Sequence, residues 1–453
     1  MILAAANERA RTITDTGFEW PTWPAFWRTV SLADYNTRVV IIGTTLLGIA
    51  AGVVGTFAYL RKRAMVGDAL SHATLPGIAA AFLITGAKSL PPLLIGAAIS
   101  GVLGILCVLG LRRIPRIKED AAIGIVLSVF FGAGIVLITF VQKMETGNQA
   151  GLDRFIYGKA AGMIFSDAAL IGAVALAVLA GVLLMFKEFR AICFDAEYAA
   201  AQGWPVMLVD VIMMSLVVLT TVVGLQAVGL ILVVALLIIP ATAARFWTDD
   251  LRTMTLLAGF FGALSGWIGS SFSALLPRMP TGAVIVLCTG LIFFISMMFA
   301  PLRGVIASIV RRESLSLKIR YQNLLRAIAE VEEQAAPGIS VPYAHLLAER
   351  SWKPRQIRGL IRRGFRRGDL HAGDAGGLAL TSEGRERANR VLRNHRLWEL
   401  YLIRYADIAP SHVDRDADMI EHVLSPEIIR ELEKALAEAP PIPPSPHAGE
   451  VFA

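Results

Sequence analysis

His72 is the only histidine in the first 344 residues, and it follows Asp68 by four. In a helix that spacing places an imidazole and a carboxylate on one face. Such a pair suits first-row divalent metals such as manganese, iron or zinc, whereas thiolates would select softer ions. The segment around it reads Met65-Val-Gly-Asp-Ala-Leu-Ser-His-Ala-Thr-Leu-Pro-Gly77. Pro76 and Gly77, one turn further on, can loosen the helix and release a carbonyl beside the pair. In a competing reading Asp68 is only a helix-start acid near the N-terminal dipole, and His72 hydrogen-bonds a neighbouring helix.

Two further constellations lie near the C-terminus. His395 and Glu399 form another i, i+4 pair, and Asp418, Glu421 and His422 share one helical face. Solvated charges in ion pairs would give the same pattern. Upstream, Lys353, Arg355, Arg358, Arg362, Arg363, Arg366 and Arg367 fall within fifteen residues that hold no acid. A basic helix of this kind is the electrostatic footprint of phosphate binding, to nucleic acid or to an anionic membrane surface. Docking onto a partner protein or onto this chain itself is the remaining alternative. Cys107, Cys193 and Cys288 are far apart with no Cys-x-x-Cys spacing, and read as small apolar residues. No Gly-x-x-x-x-Gly-Lys-Ser/Thr loop occurs, since Gly86-Ala-Lys-Ser lacks the glycine before its lysine. The chain is therefore not expected to hydrolyse ATP and reads as no enzyme.

These residues sit in two different settings. A mean hydropathy of +0.60 and 55 % hydrophobic residues exceed what a soluble core requires. The excess is concentrated in apolar runs long enough to cross a hydrocarbon core of roughly 30 Å. About nine spans are expected, near 38–60, 67–86, 91–111, 121–141, 166–186, 206–226, 228–246, 254–276 and 281–300, with a re-entrant element at 154–165 as an option. Asp68 and His72 fall in the second span, where ionisable groups are costly and usually functional. Asp68 is the only acid expected to be buried there. Loops on one side carry eleven basic residues, including Arg61 to Arg63 and Arg112, against five on the other. The richer side is cytoplasmic by the positive-inside rule, which puts the N-terminus outside and the C-terminus inside. No signal peptide is read in the first residues, where Trp20, Trp23 and Trp27 suggest an interfacial lead-in. Gly48–Gly52 and Gly262–Gly266 have the spacing that lets helix backbones approach.

Beyond Arg311 the chain turns charged. A helix over 317–336, with Leu324, Leu325, Ile328 and Val331 at helical spacing, precedes helices near 342–349 and 353–364. A Gly-rich hairpin follows at 369–381. Three helices and a hairpin make a winged helix. After Glu438 a Pro-rich tail lacks core-forming residues.

Over roughly residues 35–305 the sequence resembles the permeases of manganese, zinc and iron ABC importers. The motifs are Gly67-Asp-Ala-Leu-Ser-His72 with Leu75-Pro-Gly77, Gly224-Leu-Gln-Ala-Val-Gly through Pro240, and Phe194-Asp-Ala-Glu-Tyr-Ala-Ala-Ala-Gln-Gly203. The resemblance implies that Asp68 and His72 line the metal pathway. It also implies that 194–205, with Phe194, Asp195, Ala199 and Gly203, forms a coupling helix seated in an ATPase subunit. The residues agree on the second point, because 194–203 is a short, Ala-rich, partly polar stretch between spans on the cytoplasmic side. A plain connecting loop is its alternative.

The segments Leu380-Thr-Ser-Glu-Gly-Arg385, Asn394-His-Arg-Leu-Trp-Glu-Leu400 and Asp418-Met-Ile-Glu-His-Val-Leu-Ser425 look like metal-dependent repressors of the diphtheria-toxin-repressor type. That resemblance implies dimerisation helices and regulatory metal ligands, with His395 and Glu399 in one site and Glu421 and His422 in another. Asp418 stands where relatives carry Cys or Glu, and a hard oxygen there favours manganese or iron. The stretch from His412 to Glu421 is longer than the repressor pattern, so His412 or Asp414 can fill its histidine position. The N-terminal methionine ligand of that pattern has no clear counterpart.

The expectation is thus an all-α polytopic membrane protein with a C-terminal cytosolic winged-helix and helical metal-binding unit. Its parts are an interfacial segment (1–36), a permease domain (37–310), a winged-helix-like domain (311–382), metal-binding and dimerisation helices (383–438) and a disordered tail (439–453). By resemblance it is the permease subunit of an importer in a bacterial inner membrane. Manganese, zinc or iron is its substrate and regulatory ligand, and it holds no permanent cofactor. The implied partners are an ABC ATPase, an external metal-binding protein, a second permease subunit and membrane lipid, with DNA a lesser prospect. A membrane-tethered transcriptional regulator is the alternative, contacting DNA or an anionic surface through Lys353, Arg355, Arg358 and Arg362.

Overall fold

The computed structural model describes residues 23–61, 64–86, 90–112, 114–143, 160–276, 279–334, 339–349, 354–373, 376–405 and 426–435. They divide into two compact units, one up to Ser308 and one from Ile309 onward.

The described residues of the first unit form helices joined by short turns, with no strand among them. A short helix α1 (Trp23–Val30) leaves Trp23 and Trp27 exposed, and α2 (Tyr35–Leu60) follows. The expected second span is two pieces, α3 (Ala64–Ala73) and α4 (Leu75–Thr85). Then come α5 (Leu90–Leu111), α6 (Glu119–Gln142) and, after a single 3-10 turn at Ala160–Gly162, α7 (Phe165–Leu184). Of the optional re-entrant element only that turn falls within the described residues. Short helices α8 (Phe186–Phe194) and α9 (Ala196–Ala201) lead into α10 (Val206–Val228), α11 (Leu230–Arg245), α12 (Leu251–Leu275) and α13 (Thr281–Phe299). Among the described residues seven helices are long and apolar enough to cross a membrane: α2, α5, α6, α7, α10, α12 and α13. The second and seventh expected spans are shorter apolar helices, Ser71–Thr85 and Val233–Arg245.

Helix α2 is the axis of this unit, with Val54, Phe57 and Ala51 fully buried. It lies directly against α12: a Cβ on Gly48 would stand 2.1 Å from the Gly262 carbonyl oxygen, so only glycine permits the approach. The outward faces of α5, α6, α7 and α13 expose Leu103, Val129, Leu176 and Leu287, the apolar exterior a bilayer requires. Helices α10 and α11 are separated by one residue, Gly229, at φ 95° and ψ 167°. An L side chain is strained there, so this glycine lets the chain reverse within an apolar stretch.

The second unit begins inside α14 (Val305–Gln334), which starts twelve residues before the expected position. Nothing between Gly304 and Gln334 breaks a helix, so the turn nucleated at Gly304 propagates unchecked. Helices α15 (Tyr343–Glu349) and α16 (Pro354–Arg367) follow, then strands β1 (Leu370–Ala372) and β2 (Leu378–Leu380). The strands pair antiparallel with Leu370 opposite Leu380, and Val341 bridges to Leu378. Helices α17 (Ser382–Tyr405) and α18 (Pro426–Ala435) complete it. Leu324, Ile328, Leu346, Ile357 and Leu380 share one buried cluster. Leu324, Leu325 and Ile328 of α14 and Ile357 and Leu360 of α16 are buried at helical spacing, which fixes the inward faces.

Candidate metal path and coupling segment

His72 lies in the last turn of α3, one turn after Asp68, whose side chain falls outside the described part of the structure. The imidazole is half-buried and meets the Phe131 ring of α6 edge-on, with centroids 5.0 Å apart. Two residues later the helix breaks. Pro76 has no N–H to donate to the His72 carbonyl, four residues before it, so the regular ladder cannot continue. Hydroxyls take over at the break: Thr74 Oγ1 donates to the Ser71 carbonyl at 2.6 Å. Ser100 Oγ of α5 donates to the Ala73 carbonyl, also at 2.6 Å. Backbone that leaves the helix inside an apolar bundle requires such substitutes. The break is held tightly, since a Cβ on Gly77 would stand 2.0 Å from the Gly96 carbonyl oxygen. The imidazole of His72 therefore lies beside an interruption of the span whose nearby carbonyls are satisfied by hydroxyls. Among the described residues no three His, Cys, Asp or Glu side chains come together.

Residues 194–205 form a capped turn of helix. Asp195 precedes α9 and accepts the Tyr198 amide at 2.9 Å, satisfying an otherwise orphan donor. Gly203 ends the segment at φ 85°. Ala199 is buried, whereas Phe194 and Tyr198 are 67 % and 61 % exposed, so the segment anchors by its small residue and presents two aromatic rings. Immediately before it, the Ile192 carbonyl accepts from Arg61 Nη1 at 2.9 Å, and Arg61 Nη2 stands 3.3 Å from Asp210 Oδ2. One guanidinium thus ties the end of α2 to α8 and α10. Asp210 is 5 % exposed and Asp167 is 9 % exposed, which corrects the expectation of a single buried acid. Their signal was present: each is a lone acid at the head of an apolar run.

In the second unit His395 and Glu399 do meet, with Nε2 and Oε1 3.1 Å apart and both residues nearly inaccessible. Arg326, 1 % exposed, completes the group by placing Nη1 2.7 Å from His395 Nδ1. A guanidinium only donates, so Nδ1 must accept and the ring proton must sit on Nε2, facing Glu399. A metal ligated by that imidazole needs Nε2 bare, and its other nitrogen normally donates outward. As placed, the pair does not fit a divalent ion, because Arg326 already supplies the positive charge and dictates the wrong tautomer. His412, Asp418, Glu421 and His422 lie outside the described residues. Arg396, next in sequence, clamps Glu333 of α14, with Nη1 3.0 Å from Oε1. That hydrogen bond holds the Glu333 carboxyl below its usual range.

Arg355, Arg358 and Arg362 are exposed on α16, and Lys353 lies outside the described residues. At the other flank of the same helix, Arg363 and Arg367 lie over the Tyr321 ring. The Tyr321 hydroxyl is buried against Asp369, and that burial and hydrogen bond push its pKa well above the usual phenol range.

Seven long apolar helices among the described residues and an apolar exterior define a multi-pass membrane protein. The family described as the ABC 3 transport family matches residues 33–300, more than half of the chain, and the chain belongs to that family. Residues 381–443 match the iron dependent repressor, metal binding and dimerisation domain. The manganese transport system membrane protein MntC of Bacillus subtilis is 38 % identical over 387 residues, covering 85 % of this chain and 88 % of the relative. The zinc transport system membrane protein TroC of Treponema pallidum is 47 % identical over 63 % of this chain and 96 % of its own length. Among solved structures, PsaBC from Streptococcus pneumoniae in complex with Fab is 32 % identical with a TM-score of 0.54, covering 62 % of this chain and 98 % of that one.

Proposed function

We propose that this chain is the permease subunit of an ABC importer that moves a divalent transition metal across the bacterial inner membrane, manganese first and zinc or iron next. The observation that carries the reading is His72, one turn after Asp68 and beside a span broken at Thr74 and Pro76. The names of the relatives, manganese and zinc transport proteins, support it. Asp68 and His72 would receive the ion in transit, with the hydroxyls at the break steadying the open backbone. The segment Phe194 to Gly203, including Asp195 and Ala199, would seat in a groove of a separate ATPase subunit, with Phe194 and Tyr198 as its contact rings. An external metal-binding protein would deliver cargo, and a second permease subunit would complete the pathway. The N-terminus is outside and the C-terminal unit cytoplasmic in this reading, as the loop charges require.

The C-terminal unit, three helices and a hairpin followed by a long helix, is proposed as a winged-helix and dimerisation module that slows import when cytosolic metal is plentiful. The match to the repressor domain supports this. Its metal would be held by His412, Asp418, Glu421 and His422, not by the His395–Glu399 pair while Arg326 occupies it. Exposed arginines on α16 favour a second reading, a membrane-tethered regulator that binds DNA. Purification from native membranes separates the two: a co-eluting ATPase subunit is expected, and specific operator DNA in its place would overturn the importer.

A further inference from the structure

We propose that a basic cavity in the C-terminal unit binds a small molecule carrying several phosphate groups. The cavity measures about 500 Å³, within the range of ligand pockets, and is walled by α14, α16 and α17. Lys318 comes from the first of these, Arg363 and Arg367 from the second, Arg387 and Arg390 from the third. Five cations from three helices converge on one concavity, whereas a solvated helix face would spread them outward. Only Arg387 is neutralised: it pairs with the buried Asp369 and with Glu383. Lys318, Arg363, Arg367 and Arg390 make no ion pair among the described residues. Like charges held this closely repel, and a bound polyanion relieves that repulsion.

The donors are also held in place beforehand. Arg363 and Arg367 stack on Tyr321 at 5.9 and 5.3 Å, and the Tyr321 hydroxyl is fixed by Asp369. Planar guanidinium forks fixed in this way suit bidentate phosphate recognition. Among the described residues Tyr321 is the only aromatic residue in the cavity wall, and Arg363 and Arg367 already lie over its ring. No ring remains for a nucleobase to stack on, so affinity follows the number of phosphates and ignores the base. The phosphates can belong to a free polyphosphate or to an anionic lipid headgroup. The outer stripe Arg355, Arg358 and Arg362 is centred roughly 130° away around α16 and is no part of the cavity.

The test uses the full-length chain, purified without its ATPase into discs of neutral lipid. Calorimetric titration with inorganic tripolyphosphate and with ATP should give similar affinities, and AMP should bind at least about ten-fold more weakly. Lys318→Gln with Arg390→Gln, both exposed and unpaired, should weaken tripolyphosphate at least about ten-fold, while Arg355→Gln with Arg358→Gln leaves it unchanged. Circular dichroism checks that both variants fold. Loss of tripolyphosphate binding in discs containing cardiolipin identifies the lipid headgroup as the source, and unaltered binding there identifies a free polyphosphate. No binding, equal weakening by the outer-stripe variant, or duplex DNA as the only phosphate ligand would each overturn the proposal.

Discussion

Arg326 makes the His395–Glu399 pair a closed ionic cluster. Its guanidinium is 1 % exposed and is shared between His395 and Glu330. Removing one member of a buried charged cluster strands the others, at a cost of about 3–5 kcal/mol. Arg326→Leu should therefore lower the denaturant stability of residues 309–453 by that amount, and a loss below about 1 kcal/mol would show the cluster to be incidental. Glu333 makes a gentler prediction. Its carboxyl is held low by the Arg396 hydrogen bond, so its contribution is present above the ordinary glutamate value of ~4.3 and is lost as pH falls through the lower folded value. Melts of wild type and Glu333→Gln should differ at pH 7 and converge as pH falls through that lowered folded value; a gap that persists in strong acid would contradict this. The meeting of His395 and Glu399 was legible because it is local, one helical turn. Arg326 was not, since it lies 69 residues away and only tertiary packing brings it in. Asp210 stood out as a lone acid in an apolar run, but its partner Arg61 lies 149 residues away and could not be read locally.

Among the elements, the segment at 194–203 is the one proposed to meet the ATPase, and it presents Phe194 and Tyr198 outward. Its helix has six residues, too short to persist on its own, so the Asp195 cap contributes a large share of its order. Asp195→Ala should cost the segment about 1 kcal/mol and reduce recovery of the ATPase subunit in co-purification, whereas Glu197→Ala, which caps nothing, should not. Equal recovery from both variants would remove the coupling role. The segment's place between spans could be read from composition, as could the apolar runs, seven of which fall on helices long enough to cross a membrane among the described residues. The interruption of the second span was only half legible. Pro76 announced a weak point, but the hydroxyl of Ser100 that stabilises the break comes from another helix. The early start of α14 was hidden by the apolar residues 305–310, which read equally well as the tail of the last span. The one-residue reversal at Gly229 was hidden too, because an apolar run carries no sign of a left-handed backbone beyond the glycine itself.

At the scale of the molecule, a membrane unit of the ABC 3 transport family and a repressor-like unit are carried on one chain. The first of these is proposed to conduct a divalent metal past Asp68 and His72. The most direct measurement is accumulation of radioactive manganese in cells lacking their own copy and supplied with wild type, Asp68→Ala or His72→Ala. Membrane level and ATPase co-purification are followed in the same cells. Wild type should accumulate the metal, and both variants should fall to the level of the empty control while keeping normal assembly. Normal accumulation by both variants would contradict the account.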